Sequence, residues 1–312
     1  MVTLEDINVA QTRISPFIHR TPIYTCNSLN ELTGAKLYFK CDNFQKAGSF
    51  KIRGATNTVL QLSPEELNHG VITTSSGNHG AALALAATKQ GADVQVVMPN
   101  NTSRIKIQNV ERYGGKIIYC EPNHESRENT LKEMVERTGA IVVHPYNDER
   151  IVAGQGTAAN ELLTDLSSLD AIISPVSGGG LLCGTLLAAK GIDPNIKVYG
   201  AEPIGADDTY RSIQEGKIVP NKRVDTIADG LRAQVGTITF PIIQEMVDEI
   251  IPVSEEAIID SMRMIWERLK IMVEPSSSIV LGGLLSKKEV FNNKKVGLIL
   301  SGGNVDLDNI PW

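Results

Sequence analysis

No run in the sequence approaches the roughly 20 consecutive apolar residues of a membrane-spanning helix, so none is expected. A basic block is missing too: 30 Lys and Arg face 36 Asp and Glu, for a net charge of −6. That balance argues against nucleic acid or a membrane surface as a partner. Cysteine is scarce. Cys26, Cys41, Cys120 and Cys183 are scattered with no CxxC pair, and they read as reduced thiols, not as disulfides or a zinc site. The opening MVTLEDINVAQTRISPFI lacks a charged start followed by an apolar run, so no signal peptide is expected and a cytoplasmic location is inferred. No internal repeat or low-complexity segment occurs. With 42% apolar and 21% charged residues over 312 positions, the chain is an ordinary globular composition, long enough for one large or two smaller cores.

Short β-rich runs alternate with segments of helical period. KLYFK (36–40), VITT (71–74), DVQVVM (93–98), KIIYC (116–120), AIVVH (140–144), AIISPV (171–176), IKVYGAE (196–202), DEIIPV (248–253) and VGLIL (296–300) are the strand candidates. Between them lie helix-like stretches such as AALALAATKQ (81–90), SRIKIQNVERY (103–113) and ESRENTLKEMVER (125–137). This alternation predicts an α/β fold with parallel-rich sheets flanked by helices. The polar, turn-rich stretches LSPEELNHG (62–70) and HPYNDER (144–150) bracket one self-contained block of strands and helices. Residues 63–147 are therefore expected to form a small domain inserted into a large one built from 1–62 and 148–312.

Three glycine-rich turns follow strands: SSGNHG (75–80), SGGGLLCG (177–184) and SGGN (301–304). Each lies at the carboxyl edge of a parallel sheet, where open α/β folds bind ligands. Glycine lets backbone N–H groups approach an anion, and a helix N-terminus adds a favourable dipole. SGGGLL is the best phosphate cradle of the three. It is not a dinucleotide motif, because the GxGxxG pattern from Gly178 would need glycine where Cys183 stands, and no GxxxxGK[ST] occurs. In GSFKIRGA (48–55), Lys51 follows small residues and Phe50, an odd setting for a solvated lysine. A phosphate cradle, a lysine beside an aromatic ring and hydroxyl-bearing turns together suit pyridoxal 5'-phosphate, an aldehyde that joins a lysine amine. Burial beside Phe50 would lower the amine's pKa towards neutrality.

GSFKIRGA, SSGNHG, SGGGL, GAEP followed by ADD, IADG and LSGGNVD occur in an order and spacing that resembles the serine racemase and serine/threonine dehydratase family. That family has the two-domain tryptophan-synthase-β-like architecture of pyridoxal-phosphate enzymes (fold type II). The likeness runs from near residue 15 to residue 306, and no C-terminal regulatory domain like that of biosynthetic threonine dehydratases is expected. The resemblance implies that Lys51 is the Schiff-base lysine and catalytic base, with Phe50 packed on the ring. Asn78 would bond the ring hydroxyl, and Gly178, Gly179, Gly180 and Leu181 would wrap the phosphate. Ser75, Ser76, Gly77, Asn78 and His79 would hold the substrate carboxylate. Ser301 would face the pyridine nitrogen. A serine cannot protonate that nitrogen as a carboxylic acid could, so the ring would be a weaker electron sink, and expulsion of a β-hydroxyl is favoured over transamination.

Ser76 stands where many similar threonine dehydratases carry alanine and where similar racemases and hydroxyaspartate dehydratases carry serine. Two readings stay open: a second acid/base on the face opposite Lys51, as racemisation needs, or a helix cap or carboxylate contact. In GAEPIGADD (200–208), Glu202, Asp208 and the carbonyl of Ala206 offer hard oxygen ligands for Mg²⁺ or Ca²⁺. Such a pair is often merely solvated, and it is the resemblance to the family's divalent-cation site that favours a metal. The expected activity is dehydration of a small β-hydroxy amino acid, L-serine or L-threonine, to a 2-keto acid and ammonia, with serine racemase activity beside it. The alternatives are a dedicated serine racemase, a threo-3-hydroxyaspartate dehydratase, or a non-catalytic amino-acid sensor that kept the fold. A homodimer is implied by the resemblance alone.

Overall fold

The computed structural model describes residues 2–75, 77–102, 104–221 and 223–312. Its strands among these residues are β1 (Ile23–Tyr24), β2 (Lys36–Cys41), β3 (Val71–Thr74), β4 (Val94–Pro99), β5 (Lys116–Cys120), β6 (Ile141–Val142), β7 (Ala171–Pro175), β8 (Lys197–Pro203), β9 (Glu249–Val253) and β10 (Lys295–Leu300). They form a six-stranded sheet in the order β1-β2-β10-β7-β8-β9 and a four-stranded sheet in the order β5-β4-β3-β6. Every pairing is parallel except that of β1 with β2. The α/β reading, with parallel-rich sheets flanked by helices, holds.

Both faces of the larger sheet are covered, which is why its central strands read as unbroken apolar runs. Successive side chains in a strand point to opposite faces. Ile172, Val198, Ile250 and Ile299 accordingly enter one core, while their neighbours Ile173, Tyr199, Ile251 and Leu298 enter the other. The smaller sheet repeats the scheme, with Val71 and Val96 in one core and Ile72 and Val97 in another. The short antiparallel β1 went unread in the sequence, because Ile23 and Tyr24 stand alone between Thr21–Pro22 and Thr25–Cys26, outside any apolar run. The helix placed at 81–90 runs from Asn78 to Thr88, so the SSGNHG turn feeds its first turn directly.

The order of strands brings the glycine turns together. β7 and β10 are neighbours, so the turns that follow them, at 176–180 and 301–303, leave the same edge of the sheet side by side. From the smaller sheet, the turn after β3 reaches across to them. All four cysteines are free, and three of them are buried. Among the described residues no helix is long and apolar enough to cross a membrane.

Candidate active site

The segment carrying Lys51 is tied to the end of β10. Phe50 N–H donates to Ser301 O at 2.9 Å, Gly303 N–H donates to Gly48 O at 2.9 Å, and Ser49 bridges to Gly302. Lys51 then opens the helix Lys51–Val59. Its Nζ lies 5.1 Å from the centre of the Phe50 ring and donates to Pro145 O at 2.9 Å. Burial pushes the ammonium down to about 8, and the negative charge of Glu274 offsets part of that shift. A neutral amine is therefore within reach near physiological pH, as a nucleophile or base requires.

Two histidines flank the amine, and both are held neutral. His79 is buried, and desolvation, then the charge of Lys51, pushes it down to about 3. Its Nε2 faces Val143 O at 3.2 Å, so a neutral ring must carry its proton there. Its Nδ1 has no partner among the described residues. Burial also lowers His144, whose Nδ1 accepts from the N–H groups of Tyr146 and Asn147. Ser75 Oγ accepts from Gly77 N–H at 3.3 Å and Gly80 N–H at 3.1 Å, while Ser75 N–H is taken by Val97 O. Ser76 lies outside the described residues.

Asn78 is held at both ends of its amide. Its Nδ2 donates to Glu274 Oε1 at 2.7 Å, and its Oδ1 accepts from Asn304 Nδ2 at 2.8 Å. One Nδ2 proton remains for a ligand. Glu274 is buried, and desolvation, followed by the nearby charge of Asp229, pushes its carboxyl up to about 8. Asp229 pairs with Lys106, joining the IADG turn to the helix Arg104–Arg112 beside the smaller sheet. Sequence reasoning missed Glu274, Asn304 and Pro145. A lone glutamate ahead of a proline carries no pattern, and Pro145 acts through its backbone carbonyl.

The glycine run leaves helix N–H groups open to an anion. Gly179 caps the helix Gly180–Ile192 at φ 94° and has no side chain with which to bond the helix's first N–H groups. Those groups lack partners inside the helix and suit a phosphate. Thr239 Oγ1 fixes the loop by donating to Gly178 O at 2.7 Å and accepting from Gly236 N–H at 2.9 Å. A Cβ at Gly178 would come within 2.3 Å of the Tyr146 ring, so side chains are excluded from the cradle's floor. Leu181 and Ser301 are buried at its edges. Tyr146 follows Pro145, which links the cradle to the Lys51 amine. These residues fit a phosphorylated aldehyde.

Elsewhere, Glu202 at the end of β8 and Asp208 are both buried. Glu202 accepts from Thr209 N–H at 3.0 Å and Tyr210 N–H at 2.8 Å, and Asp208 accepts from Asn221 Nδ2 and Val235 N–H. Burial raises both carboxyls, Glu202 to about 8 with Asp208 adding to the shift. Ala206, also buried, lies between them in the chain.

Comparison with known proteins gives the family. The sequence matches the family described as pyridoxal-phosphate dependent enzyme over residues 14–302. It is 48% identical over 314 residues to a serine racemase of Dictyostelium discoideum, covering 99% of this chain and 97% of that protein. It is 47% identical over 310 residues to a beta-hydroxyaspartate dehydratase of Paracoccus denitrificans, covering 99% and 98%. The solved structure of maize serine racemase superposes with a TM-score of 0.97 at 46% identity, covering 98% of this chain and 95% of that one. The chain belongs to the pyridoxal-phosphate-dependent enzymes, within the serine racemase and serine/threonine dehydratase family. It is an enzyme of that kind, and the sensor alternative falls.

Proposed function

We propose that this enzyme dehydrates a small β-hydroxy amino acid, L-serine or L-threonine, and racemises serine beside that reaction. Water is lost across the Cα–Cβ bond; the enamine so formed tautomerises and hydrolyses, giving one 2-keto acid and one ammonia per substrate. The observation that carries this reading is the desolvated Lys51 amine, which donates to Pro145 O one residue before Tyr146, whose ring lies against Gly178 of the glycine run. Pyridoxal phosphate, when bound, supplies an aldehyde for amines and a ring that spreads negative charge from the substrate's Cα.

The protein's own part is to bind, orient and move protons. The N–H groups opening the helix Gly180–Ile192 would hold the phosphate, with Gly178, Gly179, Gly180 and Leu181 around it. Asn78, braced by Glu274 and Asn304, would donate its remaining proton to the ring oxygen. Ser301 would face the ring nitrogen without protonating it. Lys51 would take the Cα proton, because its depressed pKa makes the free amine available. The segment 75–79 would receive the substrate carboxylate, apart from the Ser75 N–H, which is engaged by Val97 O. His79 and His144, being neutral, add no cation that would repel an incoming ammonium group.

A second reading, a dedicated serine racemase or a threo-3-hydroxyaspartate dehydratase, is favoured by Ser76 and by the names of the relatives. Racemisation needs a proton donor on the face opposite Lys51, and a serine in SSGNHG supplies the right group. We also propose a divalent cation on Glu202, Asp208 and the Ala206 carbonyl, a small domain spanning 63–147, a homodimer and a cytoplasmic location. Product analysis over L-serine, D-serine, L-threonine and threo-3-hydroxyaspartate discriminates the readings. Pyruvate in excess of D-serine from L-serine supports the dehydratase. D-serine in excess supports the racemase, and turnover of the hydroxyaspartate alone supports the third.

A further inference from the structure

Two residues after Lys51, the same helix carries Arg53, whose side chain is fully buried. An offset of two residues turns a helix by about 200°, so the two side chains leave opposite faces. Lys51 faces Pro145 O, and Arg53 points the other way, towards Asp42 and Glu161. All five guanidinium protons find acceptors. Nε donates to Asp42 Oδ2 at 2.7 Å, and Nη2 donates to Asp42 Oδ1 at 2.9 Å and Glu161 Oε2 at 3.0 Å. Nη1 donates to Glu161 Oε1 at 2.8 Å and Thr157 Oγ1 at 3.1 Å. Lys40 Nζ completes the cluster, donating to Glu161 Oε2 at 2.6 Å and Thr21 O at 2.8 Å.

We propose that Arg53 is a positioning residue for Lys51: its guanidinium, forked between Asp42 and Glu161, fixes the placement of the helix that carries the reacting amine. The proposal rests on the reading of Lys51 as that amine. Stability is a poor reason for such a cluster, since apolar residues of similar volume often serve a core as well as a buried ion network does. Apolar packing has no direction, whereas a planar fork bound on two edges does. The anchors are chosen accordingly. Asp42 follows β2, and Glu161 and Thr157 lie on the helix Glu149–Asp165.

That second helix leads back to the amine's partner. It starts four residues after Pro145, and Asn57, on the Lys51 helix, donates Nδ2 to Arg150 O at 2.7 Å near its first turn. The two helices touch backbone to backbone: a Cβ on Gly154 would lie 2.6 Å from Gly54 Cα and 2.8 Å from Arg53 O. Arg53 therefore pins together the two elements whose ends hold Lys51 Nζ and Pro145 O. The KIRG sequence reads as amine, spacer, lock and crossing point.

The test is Arg53→Lys in the holoenzyme, which keeps the cluster's charge and removes the fork. Borohydride trapping on Lys51, kcat and KM for L-serine elimination, their pH profile and the Tm are measured together. The expected result is cofactor still trapped on Lys51, KM within about 3-fold of the parent, and kcat lower by about 10- to 100-fold. The latter is the scale of an ångström-size misplacement of a reacting group. The pH profile should shift as well, because the amine's surroundings move with it. A lower Tm with parental kcat and pH profile overturns the proposal and leaves Arg53 a structural residue. Should Arg53→Lys not fold, Glu161→Asp retracts one anchor while keeping its charge, and a parental kcat there is equally contrary. Failure to trap cofactor on Lys51 in the parent overturns both readings, whereas trapping with parental kcat in the variants overturns this one alone.

Discussion

Replacing Gly179 by alanine separates the two requirements of the proposed phosphate cradle, an unusual backbone and empty space. The residue sits at φ 94°, where a Cβ costs about 1–2 kcal/mol. The added carbon would lie 2.8 Å from Thr239 Cβ and Oγ1 and 2.9 Å from Ile243 Cδ1. Both neighbours are buried, so overpacking adds about 1–3 kcal/mol. A total of roughly 2–5 kcal/mol is expected. With an unfolding entropy of about 2.1 cal/mol/K per residue over 312 residues, Tm falls by about 3–8 °C. Thr239 cannot retreat freely, because its hydroxyl holds Gly178 O and Gly236 N–H, so relief comes from moving the loop. If about 2 kcal/mol of the strain is lost that way, the cofactor's Kd rises about 30-fold. Thermal unfolding of the stripped protein gives the first quantity, and a fluorescence titration with pyridoxal phosphate gives the second. A lowered Tm with an unchanged Kd would refute the assignment of this loop to the phosphate.

The remaining expectations concern the amine, the opposite face and the metal. In the stripped protein Lys51 has its pKa lowered to about 8 from 10.5, so the folded state holds a desolvated ammonium below pH 8. The unfolded state binds the extra proton between these values, so this group's penalty, about 1–3 kcal/mol, disappears as pH rises from 8 to 10.5. Lys51→Met is expected to be the more stable apoprotein at pH 7 and to lose that advantage by pH 10.5 in urea titrations; a gap independent of pH contradicts the assignment. Ser76→Ala is expected to abolish D-serine formation while keeping much of the pyruvate formation, and D-serine produced at the parental rate removes Ser76 as the second acid/base. Chelator treatment is expected to lower Tm, with Mg²⁺ or Ca²⁺ restoring it in the parent and failing to do so in Asp208→Asn. Identical behaviour of the two proteins would dismiss the cation site.

The sequence disclosed the fold well because its signals are local. KIIYC and VITT coincide with β5 and β3, and the buried central strands of the larger sheet, such as VGLIL in β10, make unbroken apolar runs. β1 escaped because Ile23 and Tyr24 lie outside any apolar run, unlike the equally short β6 within AIVVH. In the site, the lysine and the glycine turns were legible since each motif is contiguous. Their supports were not. Asn78 and Glu274 are 196 residues apart, Lys51 and Pro145 are 94 apart, and Arg53 and Glu161 are 108 apart. Asp42, Glu161 and Lys40 look individually like solvated charges. Only the tertiary fold encloses them with Arg53, and the neutral sum of the four charges, not any residue's type, makes burial tolerable.

The site's chemistry turns on the proposed covalent bond between Lys51 Nζ and the cofactor aldehyde. Reduction of the holoenzyme with borohydride, proteolysis and peptide mass mapping tests it directly. The pyridoxyl mass is expected on the peptide containing Lys51 and on no other. A label on another lysine, or no label with cofactor present in excess, would contradict it.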